Sequence, residues 1–200
     1  RVALYLIPAI MDIIVGSLFF VATVRTAESG ANAMAVGNII TVWGITYMGA
    51  ALLIGRFVST RNCASIMIGT CAAMILCAAG FILFPSLVLL YPLMAFFGAV
   101  AGLFFPSFMV FMKSCESGRS RGLAYSASIY TMSWSLGLAA GPFIAGYIWT
   151  AYGWKWCIAL NLVMALATGI GIILLRNRSR PVTTPTENPD QSSVPHDSCG

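Results

Sequence analysis

The chain has 200 residues, 59% of them hydrophobic and only 8% charged, with a formal net charge of +5. A soluble globule of this size lacks the interior volume to hide so much apolar surface, which points to a membrane protein. The positive charge is no sign of nucleic-acid binding, because no basic cluster interleaves with aromatic residues on a soluble face.

Six apolar stretches follow one another at 2–23, 33–54, 64–84, 87–112, 123–149 and 154–175. As helices rising about 1.5 Å per residue, each can cross a hydrocarbon core of about 30 Å. The expected fold is therefore an all-α membrane protein of six transmembrane helices, with a bundle over 1–175 and a tail over 176–200. The tail is rich in Pro, Ser and Thr and holds Glu187, Asp190, Asp197 and the lone histidine, His196, so it reads as a disordered cytoplasmic tail or linker. Arg1 before an apolar run and the small residues Ala31-Asn32-Ala33 also resemble a signal peptide. Against this, the run exceeds the usual core of about 7–15 residues, and Asp12, Arg25 and Glu28 precede the supposed cut. The chain starts without an initiator Met, so a trimmed N-terminus or a segment of something longer is expected.

Charge sets the expected orientation, because cytoplasmic loops are enriched in Lys and Arg. With the N-terminus inside, nine basic residues lie inside (Arg1, Arg56, Arg61, Lys113, Arg119, Arg121, Arg176, Arg178 and Arg180) and two outside (Arg25 and Lys155). Both termini are then cytoplasmic, and the protein spans the cell membrane, plasma or bacterial inner. Tyr147, Trp149, Tyr152, Trp154 and Trp156 flank the outer turn before the sixth span and read as an interfacial aromatic belt. The six cysteines show neither pairing nor metal spacing and read as small packing residues.

Trp43 and Trp134 are 91 positions apart, as are Gly55 and Gly146, and the same shift lays the first span on the fourth and the third on the sixth. A repeat of three spans inserts with opposite topology, so a 3+3 inverted repeat is expected. In the fifth span, Gly137 and Gly141 lie one turn apart and admit a neighbouring helix, while Pro142 removes a hydrogen bond and permits a bend. Tyr130 and Trp134 lie on that side of the helix, with Ser128, Thr131 and Ser135 as an adjacent polar stripe. Gly98-x-x-x-Gly102 in the fourth span reads as generic helix packing.

These motifs resemble the major facilitator superfamily, in particular the N-terminal six-helix half of its proton-coupled drug and metabolite efflux antiporters. Gly137 to Gly146 is similar to the fifth-helix motif G-x-x-x-G-P-x-x-G-G, with Ala145 in place of one glycine, and Gly153-Trp154-Lys155 resembles the Gly-Trp-Arg opening of helix six. Gly55-Arg56-Phe57-Val58-Ser59-Thr60-Arg61 resembles the loop between helices two and three, with Ser59 where the family has Asp and Thr60 where it has Arg. The resemblance implies proton-coupled alternating access, a small-molecule substrate, and a central cavity closed by a second six-helix half, in the same chain or as a second copy. It also implies a cytoplasmic gate in which Glu116 pairs with basic residues among Arg56, Arg61 and Arg121, against plain solvation of those charges.

Asp12 is the only acidic residue inside a span, about 15 Å from the cytoplasmic end. A carboxylate at such depth costs about 2.5–3.5 kcal/mol even on the lenient insertion scale. It reads as the proton-coupling or substrate-charge residue, or as a neutral carboxyl bonded to a neighbouring helix. Trp43, Tyr47, Ser128, Thr131 and Trp134 are candidate cavity-lining residues, with lipid contact or packing as the alternative for Trp43 and Tyr47. An intramembrane serine protease needs a membrane histidine, a half-helix channel needs Asn-Pro-Ala signatures, and a metal-dependent lipid enzyme needs clustered acids; the spans hold none of these. No enzyme, metal or cofactor is expected, and the rival to a transporter is a non-transporting helical scaffold or partner subunit.

Overall fold

The computed structural model describes residues 2–84, 86–116 and 123–178, all in helices or short turns. The helices are α1 (Val2–Glu28), α2 (Ala33–Gly55), α3 (Cys63–Leu83), α4 (Leu87–Glu116), α5 (Leu123–Tyr152) and α6 (Trp154–Arg178). The predicted tail, with His196 and Cys199, falls outside the described residues apart from the end of α6.

Local chemistry explains the helix ends. Gly30 (φ 79°) and Gly153 (φ 89°) take left-handed conformations after α1 and α5, where a side chain would be strained. Asn32 opens α2 by accepting the Ala35 N–H at 2.9 Å. The hydroxyls of Thr23, Thr26, Thr46 and Thr168 donate to carbonyls of their own preceding turns, so they cross the bundle without needing partners.

Five of the helices are long and apolar enough to cross a membrane; α5 does not reach that measure. Sequence reading expects six equivalent spans, and the difference arises because Ser128, Thr131, Ser133 and Ser135 dilute the apolar character of α5. Its position makes up the shortfall, since it lies along α1 within the bundle. Ala9 meets Gly137, Gly16 meets Gly141 and Phe20 meets Gly146, so the numbering rises together and the two helices run parallel. The same holds for α2 and α4, where Tyr91 donates to the Ala35 carbonyl, Trp43 meets Gly98 and Tyr47 meets Gly102. By contrast, α6 runs antiparallel to α1, through Asn161 with Ser17 and Arg25 with Trp154, and antiparallel to α3, through Arg176 with Ser65 and Gly169 with Cys71. The six helices therefore alternate in direction, and the N-terminus of α1 and the C-terminus of α6 lie at the same end.

The 91-residue shift exchanges the pair α1/α5 with the pair α4/α2, and these are the two most extensive helix pairings in the bundle. The 3+3 inverted repeat is thus visible in the packing as well as in the sequence. The centre is filled by Met11, Ile14, Leu18, Phe81, Phe97, Phe104 and Phe108, all fully buried. Apolar side chains such as Leu52, Leu76, Val88, Phe143 and Val163 point outward, as a lipid-facing surface requires.

Candidate functional site

Asp12 lies in the middle of α1 with 1% of its surface exposed, and its Oδ2 makes no hydrogen bond among the described residues. A buried acceptor in this position is costly unless a proton or a ligand satisfies it. Glycines explain how neighbouring backbone comes so close. A Cβ on Gly137 would collide with the Ala9 carbonyl and lie 2.8 Å from the Asp12 Cβ. One turn on, a Cβ on Gly141 would lie 2.7 Å from the Ile13 oxygen and 3.0 Å from the Gly16 Cα. The fifth-helix motif therefore docks α5 onto α1 at the level of Asp12.

On the other side, Gly98 and Gly102 of α4 accept the backbone of α2 at Trp43 and Tyr47, where any Cβ would strike those carbonyls. Generic packing, expected here from the sequence, understates their part: they are the counterpart of the α1/α5 seam and they seat the two aromatic residues. Trp43 stacks on Tyr47 at 5.0 Å and receives Phe19 edge-on at 4.5 Å. From Tyr47 the rings continue through Phe105 (6.3 Å), Phe104 (5.6 Å) and Phe108 (6.4 Å) to Tyr130, which stacks on Phe108 at 5.8 Å. The run thus crosses from α1 through α2 and α4 to α5. Tyr47 and Tyr130 both lie within electrostatic range of Asp12 and of each other. Trp43 and Tyr47 are packing aromatics here, half-buried rather than turned out to lipid. The Trp43 Nε1 donor is buried and has no acceptor among the described residues.

Other predicted residues fall elsewhere. Trp134 is 41% exposed, and Ser128 and Thr131 are exposed as well, whereas Tyr130 stacks on Phe108. Pro142 lies on the seam, with its Cδ 2.8 Å from where a Gly16 Cβ would be, and Gly146 packs over the Phe20 ring. A Cβ on Gly55 would lie 3.9 Å from the Pro106 Cβ, an ordinary contact, so a side chain would fit there. Arg56 and Arg61 are exposed, with the Arg56 guanidinium 4.8 Å from the Phe57 ring centroid. Arg121 and the Glu116 side chain fall outside the described residues. The aromatic belt is divided: Tyr147, Tyr152 and Trp156 are exposed, whereas Trp149 packs on Phe20 and Trp154 lies under Arg25.

Sequence reasoning missed two features. Asn161 of α6 is buried and donates to Ser17 Oγ at 3.0 Å, joining α6 to α1 one turn beyond Asp12; a lone amide within an apolar run was its signal. In the 2–3 loop, Asn62 accepts the Ser59 N–H at 2.7 Å and donates to the Phe57 carbonyl at 2.9 Å, so an amide shapes the turn in which the family has Asp.

No curated protein and no solved structure matches the chain. The family profile of the Major Facilitator Superfamily matches residues 4–196, a stretch that contains nearly all of the six-helix bundle. The chain belongs to the Major Facilitator Superfamily, and is thereby a multi-pass transporter of small molecules across a lipid bilayer.

Proposed function

We propose that the protein is a proton-coupled secondary transporter of the antiporter type, exporting a small molecule across the plasma or bacterial inner membrane, in which Asp12 alternately holds a proton and substrate. The observation that carries this reading is the buried Asp12 carboxyl at the meeting of α1, α2 and α5, whose Oδ2 has no hydrogen-bond partner among the described residues. A helical scaffold has no use for such a group at its insertion cost. Antiport is supported by the Gly137–Gly146 sequence, whose glycines hold α5 against the Asp12 stretch of α1.

The loop after α2 (Arg56, Arg61), the end of α4 (Lys113) and the end of α6 (Arg176) share one end of the bundle by helix direction, which makes that end cytoplasmic under the positive-inside rule. Outward on α2 and α5, Asn38, Thr41, Ser128, Thr131, Ser135 and Trp134 are exposed. A polar surface of this kind suits a protein partner or an aqueous cavity better than lipid, and a second six-helix half, in the same chain or as a second copy, would face it.

The test is uptake into reconstituted vesicles under an imposed pH gradient, with a substrate taken from a screen of labelled compounds. Asp12→Asn keeps the shape and removes the exchangeable proton, so it should insert normally and lose gradient-driven flux by tenfold or more, with Asp12→Glu retaining part. Flux through the Asn variant equal to that of the parent would refute the coupling role.

A further inference from the structure

We infer that the end of the bundle where α5 gives way to α6 is a binding site for an anionic phospholipid, whose phosphate is held by Arg25 and Lys155 beside Trp154. Helices of alternating direction bring three turns to this end, α1–α2, α3–α4 and α5–α6, and across them Arg25 and Lys155 are the only basic residues and Glu28 the only acid. The two cations are gathered together. Gly153 (φ 89°) alone separates α5 from α6, so Trp154 and Lys155 stand in the first turn of α6. The Arg25 guanidinium carbon lies 4.4 Å and the Lys155 Nζ 5.9 Å from the same Trp154 ring centroid, so the two charges are at most about 10 Å apart. Arg25 is about 20 Å along α1 from Asp12, which makes this site separate from the buried carboxyl.

Like charges held this close repel, and the ring does little to offset the second of them. Arg25 has a structural duty, donating to the Phe81 carbonyl at 3.2 Å and stacking on the indole. Lys155 is exposed, and its distance from the ring is at the limit of about 6 Å within which an indole face attracts a cation. A phosphodiester reached by both side chains turns one repulsion into two attractions. Glu28, exposed and three residues after Arg25, is the one acid able to offset either cation, and it leaves this end with net positive charge.

The surroundings select a lipid over a soluble phosphate. Tyr152 and Trp156 are 68% and 62% exposed with ring centroids 6.4 Å apart, amphipathic groups of the kind that lie at headgroup depth, and their O–H and N–H can donate to headgroup oxygens. Leu83 and Phe84, exposed at the end of α3 to which Arg25 reaches, offer an apolar flank to the acyl chains. A zwitterionic headgroup would bring its own ammonium to an end that is already positive, so the preference falls on a lipid of net negative charge. Bound there, it joins α1 to α6 through Arg25 and Lys155.

The test uses the complete chain in cysteine-free form, with a fluorophore on Ala151→Cys, an exposed position at this end, in bilayer discs of phosphatidylcholine with a minority of phosphatidylglycerol of the same chains. One lipid or the other carries a chain nitroxide that quenches on contact, so the ratio of quenching reports which lipid lies beside the reporter. Phosphatidylglycerol should be enriched there about fivefold over the bulk, two cations each contributing about that factor and Glu28 removing one. Lys155→Gln should abolish the enrichment, Lys155→Arg should keep it, and Glu28→Gln should raise it several-fold. Lys155→Gln should also melt with the parent in phosphatidylcholine alone, yet miss the rise in melting temperature that phosphatidylglycerol gives the parent, a difference that a purely structural lysine would not produce. No enrichment in the parent, or enrichment unchanged by Lys155→Gln, would overturn the inference. Inorganic phosphate, at ionic strength matched with chloride, should leave the enrichment unaltered; displacement of the lipid by phosphate would overturn the choice of a lipid.

Discussion

Gly141 offers the sharpest test of the α1/α5 seam. An added Cβ there would lie 2.7 Å from the Ile13 oxygen, 2.9 Å from the Ser17 nitrogen and 3.0 Å from the Gly16 Cα. Ordinary contacts between such atoms lie near 3.5–4.0 Å, so the helices would have to part by roughly 0.7–1 Å. All three neighbours are backbone, and no rotamer change relieves them. Overpacking of this kind costs about 1–3 kcal/mol. Gly44 of α2 supplies the control, because a Cβ there meets nothing within 4 Å. Both Gly→Ala changes carry the same helix-propensity gain of about 0.8–1 kcal/mol, so the difference between them isolates the seam. At about 2–4 °C per kcal/mol for a chain of this size, Gly141→Ala should melt about 2–12 °C below Gly44→Ala in the same micelles, followed by tryptophan fluorescence. The bulkier Gly141→Leu should insert and yet lose transport. If the two alanine variants melt together, the glycine contacts do not hold the seam.

Two further expectations follow from the helix ends. In a cysteine-free version, a cysteine at Asn32 should react with impermeant reagent added outside intact cells and one at Ser59 should not; the reverse pattern would invert the orientation. Arg25 donates to the Phe81 carbonyl at 3.2 Å and lies 4.4 Å above the Trp154 ring, tying α1 to α3 and α6 at the outer end. Arg25→Gln should lower stability by about 2 kcal/mol, and the double variant with Trp154→Leu should fall short of the summed single losses by about 0.5–2 kcal/mol; strict additivity would show that the stacking carries no energy.

Helix number and order were legible because each apolar run is long and bounded by charge or glycine or, between the third and fourth, by Pro85-Ser86, and Asp12 was legible as the lone acid in such a run. Its surroundings were not. Trp134 and Tyr130 lie one turn apart on one side of α5, yet one is exposed and the other stacks on Phe108. A helical wheel gives angles about the helix's own axis, whereas inside and outside are decided where α1 crosses at Gly137 and Gly141. Asn161 and Ser17 are 144 residues apart, and no local spacing announces their bond. Arg25 read as a loop charge, but α1 continues to Glu28 and turns that side chain against α3 and α6.

The repeat shares its frame between the two halves and divides its chemistry. Thr70 and Asn161, related by the 91-residue shift, are both buried polar residues, and Gly16 and Ser107 are both buried small ones. At the seams the correspondence is broken in a useful way. On the α1/α5 side, bare glycine lies on the outer helix at Gly137, and the central helix carries Asp12; on the α4/α2 side, the central helix is bare at Gly98 and Gly102, and the outer helix carries Trp43 and Tyr47. The shift takes Asp12 onto Leu103 and Tyr47 onto Leu138, so neither the charge nor that ring is duplicated. One carboxyl from a central helix then lies within electrostatic range of one ring from an outer helix, Tyr47. Gly137 corresponds to Thr46 in the other repeat, and restoring threonine there would drive a side chain into the Ala9 carbonyl and the Asp12 Cβ. The asymmetry at this position is what leaves room for Asp12 beside the α5 backbone.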